Sequence, residues 1–255
     1  MKKIVFLVLL VNLYCVGQLQ AQLFGGQLKS TRSSFPPGHV NCNPKFQTAV
    51  VEVTNPITGR TWMDRNLGAE QVATSPTDEK AFGDLYQWGR WADGHQCRTS
   101  GTKSTVSSID RPTHDDFITV SFNSSSDDWR NPQNNTLWGI NRSSGGVNNP
   151  CPTGFRLPTE DEVRDERRSW GNTVLTNNSV GAFNSVLKLP LSGYREQTGE
   201  ILDEAQGSPY GFIWAQDVAG SDLPKAARAL AYFSGNAFEN PYDRARGYAV
   251  RCIKF

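Results

Sequence analysis

The sequence predicts an α+β domain, on two observations. Helical patterning is confined to two stretches, 76–94 and 159–170, and the last third of the chain is a succession of short β runs, each ended by Gly, Asn or Asp.

The chain opens MKKIVFLVLLVNLYCVGQLQAQ. Lys2 and Lys3 precede an unbroken apolar run from Ile4 to Val11, and Leu19-Gln20-Ala21 offers a small-residue cleavage point. That run is shorter than the about 20 residues a membrane-crossing helix needs. Residues 1–21 therefore read as a cleaved signal peptide, and the product as exported to the periplasm, the outer surface or the medium. Cys15 is not preceded by the small residue that lipoprotein processing prefers. Cleavage removes two of the 26 basic residues and leaves 24 against 25 acidic ones, a formal charge of −1. With no basic stripe to meet phosphates, nucleic acid is not an expected partner, and direct membrane insertion is not expected either.

Residues 22–45 are polar with Gly and Pro punctuation, a lead-in that lies over the domain occupying 46–255. Ala49–Val53 and Arg60–Met63 read as strands around an Asn55-Pro56-Ile57-Thr58-Gly59 turn. Next, Pro76, Asp78 and Glu79 suit a helix start and Gly94 its stop, with Phe82, Leu85, Tyr86 and Gly89 at helical spacing. From about 98 to 149 the composition turns to Ser, Thr, Asn and Gly, which marks a long loop insertion with short strands such as Phe117–Phe122. Thr159-Glu160-Asp161-Glu162 is a capping box, so a helix starts there, runs to about Trp170 and stops at Gly171. After a second polar loop come LKLPLSGYREQTGEI, YGFIWAQD, AARALAYFSG and ARGYAVRCIKF, all short β runs.

Four cysteines follow the leader: Cys42, Cys97, Cys151 and Cys252. An even number in an oxidising compartment reads as two disulfides, with three pairings open. An alternative places His39, Cys42, His95 and Cys97 around a zinc ion. His114-Asp115-Asp116 and Asp127-Asp128 are acidic clusters that also fit a solvated loop better than a calcium site. Gly-x-Ser-x-Gly, His-Glu-x-x-His and phosphate-cradling Gly loops are absent, and so are the Glu-Pro-Asn and Gln-Pro-Asp sugar-binding motifs. No cofactor is expected.

Six phrases in order, RTWMDRNLGA, FGDLYQWGRWADG, CPTGFRLPTEDEV, LPLSGYREQTGEI, YGFIWAQD and GYAVRCIKF, resemble the Fibrobacter succinogenes major paralogous domain. The resemblance covers roughly 46–255 apart from the insertion, and departs at Val163 and at Ala215-Gln216, where the family commonly shows Trp and Ser-Ser. It implies a C-type-lectin-like fold: two helices, a twisted antiparallel sheet and termini brought close together. It also implies that Cys151 pairs with Cys252, which leaves Cys42 for Cys97. The function it implies is a non-enzymatic, exported module of a Bacteroidetes-type cell envelope that recognises a protein or glycan, or forms part of a surface assembly. The alternative is thiol oxidation of the formylglycine-generating type, which needs two close cysteines near the domain's end, where only Cys252 lies. In related lectin-like binders the segment before the final strand presents the ligand surface. Here that segment, Phe233 to Arg244, gives Asn236, Phe238, Asn240, Tyr242 and Arg244 as candidate contacts, with Trp214 of YGFIWAQD beside them, residue types suited to rigid anchoring and adaptable hydrogen bonding.

Overall fold

The structure is a computed structural model that describes residues 34–122, 127–139, 145–171, 173–203, 207 and 209–255. The predicted signal peptide and residues 22–33 of the lead-in lie outside the described residues. In chain order the elements are β1 (Glu52–Thr54), β2 (Thr61–Met63), β3 (Tyr86–Gln87), β4 (Thr102–Lys103), β5 (Phe117–Ile118), β6 (Phe155–Arg156), α1 (Glu160–Ser169) and α2 (Ser179–Asn184). They continue with β7 (Tyr194–Arg195), β8 (Ile201–Leu202), β9 (Gly211–Val218), β10 (Ala226–Tyr232), β11 (Ala237–Asp243), β12 (Gly247–Tyr248) and β13 (Ile253–Lys254). The class is α+β, with two helices and several small antiparallel sheets rather than one: β1-β2-β13-β6, β11-β10-β9 and β3-β12-β7-β8. β4 and β5 make a separate parallel pair inside the predicted insertion.

The longest strands organise the core. β10 reads AARALAY and lies between β9 and β11, so its two faces each meet a different layer. On one face Ala227, Ala229 and Ala231 join Phe212 and Trp214 in a core with Trp88, Trp138, Tyr248 and the Cys151 and Cys252 sulfurs. On the other, Leu230, Tyr232 and Ile213 pack with Trp62, Val163, Trp170 and Ile253 beneath α1. Buried indoles take their N–H to backbone carbonyls: Trp88 donates to Ala215 at 2.9 Å and Trp214 to Tyr86 at 2.7 Å, which laces β3 to β9.

α1 is where its sequence placed it. The Thr159 hydroxyl accepts from the Glu162 N–H and the Glu162 carboxylate accepts from the Thr159 N–H, and Gly171 follows at φ +104°, a conformation that stops the helix and that glycine adopts without strain. The other helix is a correction. Residues 76–94 hold only a single 3-10 turn, Glu79–Ala81, and then β3, because Gly83, Gly89 and Gly94 all take positive φ. The stretch 84–92 is buried on every side, so apolar residues at helical spacing were not one stripe of an amphipathic helix. The second helix is instead α2, in the predicted polar loop, capped by the Asn178 carboxamide.

The insertion is not a loose surface loop. Trp129 and Leu137 form a small core with Ile118, and Trp138 enters the main one. The Trp129 N–H donates to the Trp88 carbonyl at 2.7 Å and that of Trp138 to the Arg90 carbonyl at 3.2 Å. Both disulfides are present: Cys42–Cys97, with its residues partly exposed, and Cys151–Cys252, fully enclosed. No helix among the described residues is long and apolar enough to cross a membrane.

Candidate functional site

The expected contact segment is a turn followed by a strand. Ala237–Asp243 is the edge strand β11, tolerating Pro241 because its outer side needs no ladder partner. Side chains alternate along it, so Phe238, Asn240 and Tyr242 share one face, opposite Ala231, Ala229 and Ala227 of β10. Trp214 stands in the same row across β10, but its ring is wholly enclosed. Arg244 is also interior: its guanidinium meets Asp128 at 3.4 Å and Asn135 at 2.8 Å, donates to the Pro224 carbonyl at 3.0 Å, and lies 4.6 Å from the Trp88 ring centroid. Trp214 and Arg244 are therefore corrected from ligand contacts to core supports. Asn236 sits exposed at the turn, where its carboxamide oxygen accepts from Asn177 and from the Ala237 N–H.

Around Phe238, Asn240 and Tyr242 the fold gathers residues that the sequence reading did not select. Phe212 and Tyr248 stack at 4.3 Å, and three half-buried tyrosines surround that pair. Tyr194 lies 5.1 Å from Phe212, Tyr242 lies 5.4 Å from it, and Tyr210 lies 6.1 Å from it. Phe233 and Phe238 continue the aromatic surface outward, with Phe233 5.1 Å from Tyr210. Polar groups rim it. Arg246 reaches Glu196 at 3.3 Å and Asp243 at 3.7 Å. Burial pushes the Tyr194 and Tyr242 hydroxyls up from the ordinary tyrosine value, with Glu196 adding to the shift at Tyr194. For Arg246, burial works to lower the guanidinium, but Tyr248, Glu196 and Asp243 outweigh it and raise it. The signal available in the sequence was Tyr194 and Glu196, two apart at the end of a β run.

The competing sites fare differently. Cys42 and Cys97 are bonded to each other, so neither offers zinc a thiolate. His95 has both ring nitrogens engaged: Nδ1–H donates to Asp93 at 2.7 Å and Nε2 accepts from the Gln87 N–H at 3.1 Å. Burial, helped by Arg90, holds it down to about 4. His39 rests 4.5 Å from the Phe35 ring, also lowered to about 4 by burial. The zinc alternative is withdrawn on that chemistry. Cys252, on which thiol oxidation depended, is bonded to Cys151 inside the core. In the acidic clusters, Asp128 is engaged by Arg244, and the carbonyls of His114 and Asp116 accept from Arg90. Among the described residues, no three His, Cys, Asp or Glu side chains gather around a position for one ion.

Asp84 is a buried acid outside this face, in a cleft with Cys42, Glu79, Lys80 and Arg98. Its carboxylate presses on Gly68, where any Cβ would lie 2.2 Å from Asp84 Cγ. Burial pushes it up to about 7, against the opposing charge of Arg98. A carboxyl with a raised folded value binds its proton more tightly in the folded state, so its contribution falls as pH rises from about 4 through about 7. Asp84→Asn is therefore expected to gain melting temperature relative to the parent between pH 5 and pH 8. A difference that stays constant over that range would refute the assignment.

A scan of protein-family models and searches among curated proteins and solved structures found no match to this chain.

Proposed function

We propose that the chain is a non-enzymatic binding module, exported to the envelope of a Bacteroidetes-type bacterium and built on a C-type-lectin-like scaffold, that recognises a protein or glycan. The observation that carries this reading is the partly exposed aromatic face of Tyr194, Tyr210, Phe233, Phe238 and Tyr242, held on short strands and their ends, with its three tyrosines packed against the core of Phe212, Trp214 and Tyr248. Aromatic side chains that expose area yet cannot move offer contact surface at little entropic cost on binding. Two disulfides fit an oxidising destination and leave the four cysteines no thiol. The order of six family-like phrases supports the scaffold and the envelope setting.

The immobilised mature chain is expected to retain a ligand from detergent-solubilised envelope fractions. Tyr242→Ala and Tyr210→Ala should each lose it at least about tenfold, the range of a central aromatic anchor. Val174→Asn, an exposed position outside that face, should bind as the parent does. Equal retention by all three variants would remove the face from the function.

A further inference from the structure

The charge on this face is unbalanced. Among the described residues that act on Asp243, Glu196 and Asp127 are like charges and Arg246 is the cation. Arg246 is already engaged by Glu196 and Asp243. Glu196 is nine-tenths buried; its Oε1 faces Arg246 Nη1 at 3.3 Å and the Tyr194 hydroxyl interacts with the carboxylate, yet no donor stands in hydrogen-bond geometry to its Oε2. An enclosed carboxylate oxygen without a donor is costly, so the position favours whatever brings one. Beside it stand the rings of Tyr194, Tyr210 and Tyr242, whose electron-rich faces attract positive charge. A sugar hydroxyl supplies a donor but leaves the charge unbalanced, whereas an ammonium or guanidinium group answers the orphaned oxygen, the excess of carboxylates and the rings together.

We propose that this face takes the basic side chain of a protein partner, a lysine or arginine, lodged among Tyr194, Tyr210 and Tyr242 with Glu196 and Asp243 as its counter-charges. The proposal rests on reading this face as the binding surface. Glu196 is the specificity-determining residue: its unpaired oxygen selects a donor that carries charge.

The test uses the mature chain and three capped tripeptides, Gly-Lys-Gly, Gly-Arg-Gly and Gly-(Nε-acetyl-Lys)-Gly, followed by tyrosine-ring NMR shifts. The lysine and arginine peptides should produce saturable shifts of the Tyr194, Tyr210 and Tyr242 rings that weaken with added salt, and the acetylated peptide should not. Glu196→Gln, close to isosteric, should weaken the basic peptides on the order of tenfold with an unchanged melting temperature. Equal binding of the acetylated peptide, indifference to Glu196→Gln, or no shift up to about 20 mM would overturn the proposal. The two readings separate cleanly. If capture from envelope fractions needs Tyr242 but survives both Glu196→Gln and acetylation of the partner's lysines, the face binds and the ligand is not cationic. If capture ignores Tyr242 as well, both readings fall.

Discussion

Replacing Cys151 and Cys252 together with alanine is expected to remove roughly 4 kcal/mol of stability, the largest loss of any single crosslink in this chain. The bond spans 101 residues, and in the chain-entropy description a loop of about that length constrains the unfolded state by about 4.7 kcal/mol. Both sulfurs are enclosed, so truncation also leaves a small void in the core shared with Trp88, Trp214 and Tyr248. The bond joins the approach to β6 and α1 with the turn into β13, whose Ile253 pairs with both Trp62 and Arg156. Losing it frees the last strand of a four-stranded sheet, and the melting temperature should drop on the order of 10 °C. The second bond, Cys42–Cys97, spans 55 residues and is partly exposed. Access governs thiol–disulfide exchange, so mild reductant should open Cys42–Cys97 first, with Cys151–Cys252 surviving until the fold itself opens. Timed alkylation and peptide mapping would read that order. Opening of Cys151–Cys252 first, or a double-alanine loss under about 1 kcal/mol, would show that the bond contributes little to holding the fold together.

What could be read in advance depended on how local the cause was. The capping box at Thr159 and the stop at Gly171 are decided within a few residues, and the sequence places both. Cysteine pairing follows from an even count and an oxidising compartment, with the family resemblance choosing among the three arrangements. The helix expected at 76–94 failed because spacing alone does not tell one buried face from burial all round; Gly83, Gly89 and Gly94 were the local warning, and only the folded neighbours explain their positive φ. Conversely, Ser179–Asn184 is too short for periodicity to register, and α2 is held by its Asn178 cap and by Ala182 in the core. At the candidate face, Phe238, Asn240 and Tyr242 were legible, while Trp214 and Arg244 were misplaced for one reason. Trp and Arg are enriched at interfaces, and the same side chains also lock interiors when carbonyls and carboxylates converge on them. Tyr194 and Glu196 are sequence neighbours, but they meet Tyr210, Tyr242 and Arg246 from separate strands and turns, so the assembled face is a tertiary fact.

Arg244→Ala is the second large effect expected, and it separates the core reading of this residue from the surface one. Its guanidinium is enclosed, donates to Asn135 and to the Pro224 carbonyl, faces Asp128 and lies over Trp88, while the Ala245 N–H donates to the Asp127 carbonyl. These partners include both sides of the insertion's second half, so Arg244 ties the insertion to the turn after β11. Asp128 is itself pushed up to about 6 by burial, which Arg244 opposes. Removing the cation takes from that buried acid the charge that most opposes its burial, leaving the Arg130 N–H and the more distant Arg130 and Lys225 charges, and breaking a buried pair from one side typically costs about 3–5 kcal/mol. Arg244→Lys keeps the charge but loses the planar fork that serves Asp128, Asn135 and Pro224 at once, so it should recover only part of the loss. Asn240→Ala, exposed on the neighbouring strand, should stay within about 0.5 kcal/mol. Without Arg244 the acid is pushed up beyond the parent's value of about 6, so the Arg244→Ala deficit should be full at alkaline pH and shrink as pH falls toward about 6, where the acid is protonated in the parent as well. Limited proteolysis should find new cleavage within 98–149 in Arg244→Ala and none in Asn240→Ala. A denaturation midpoint for Arg244→Ala equal to that of the parent would return Arg244 to the surface and detach the insertion from the core.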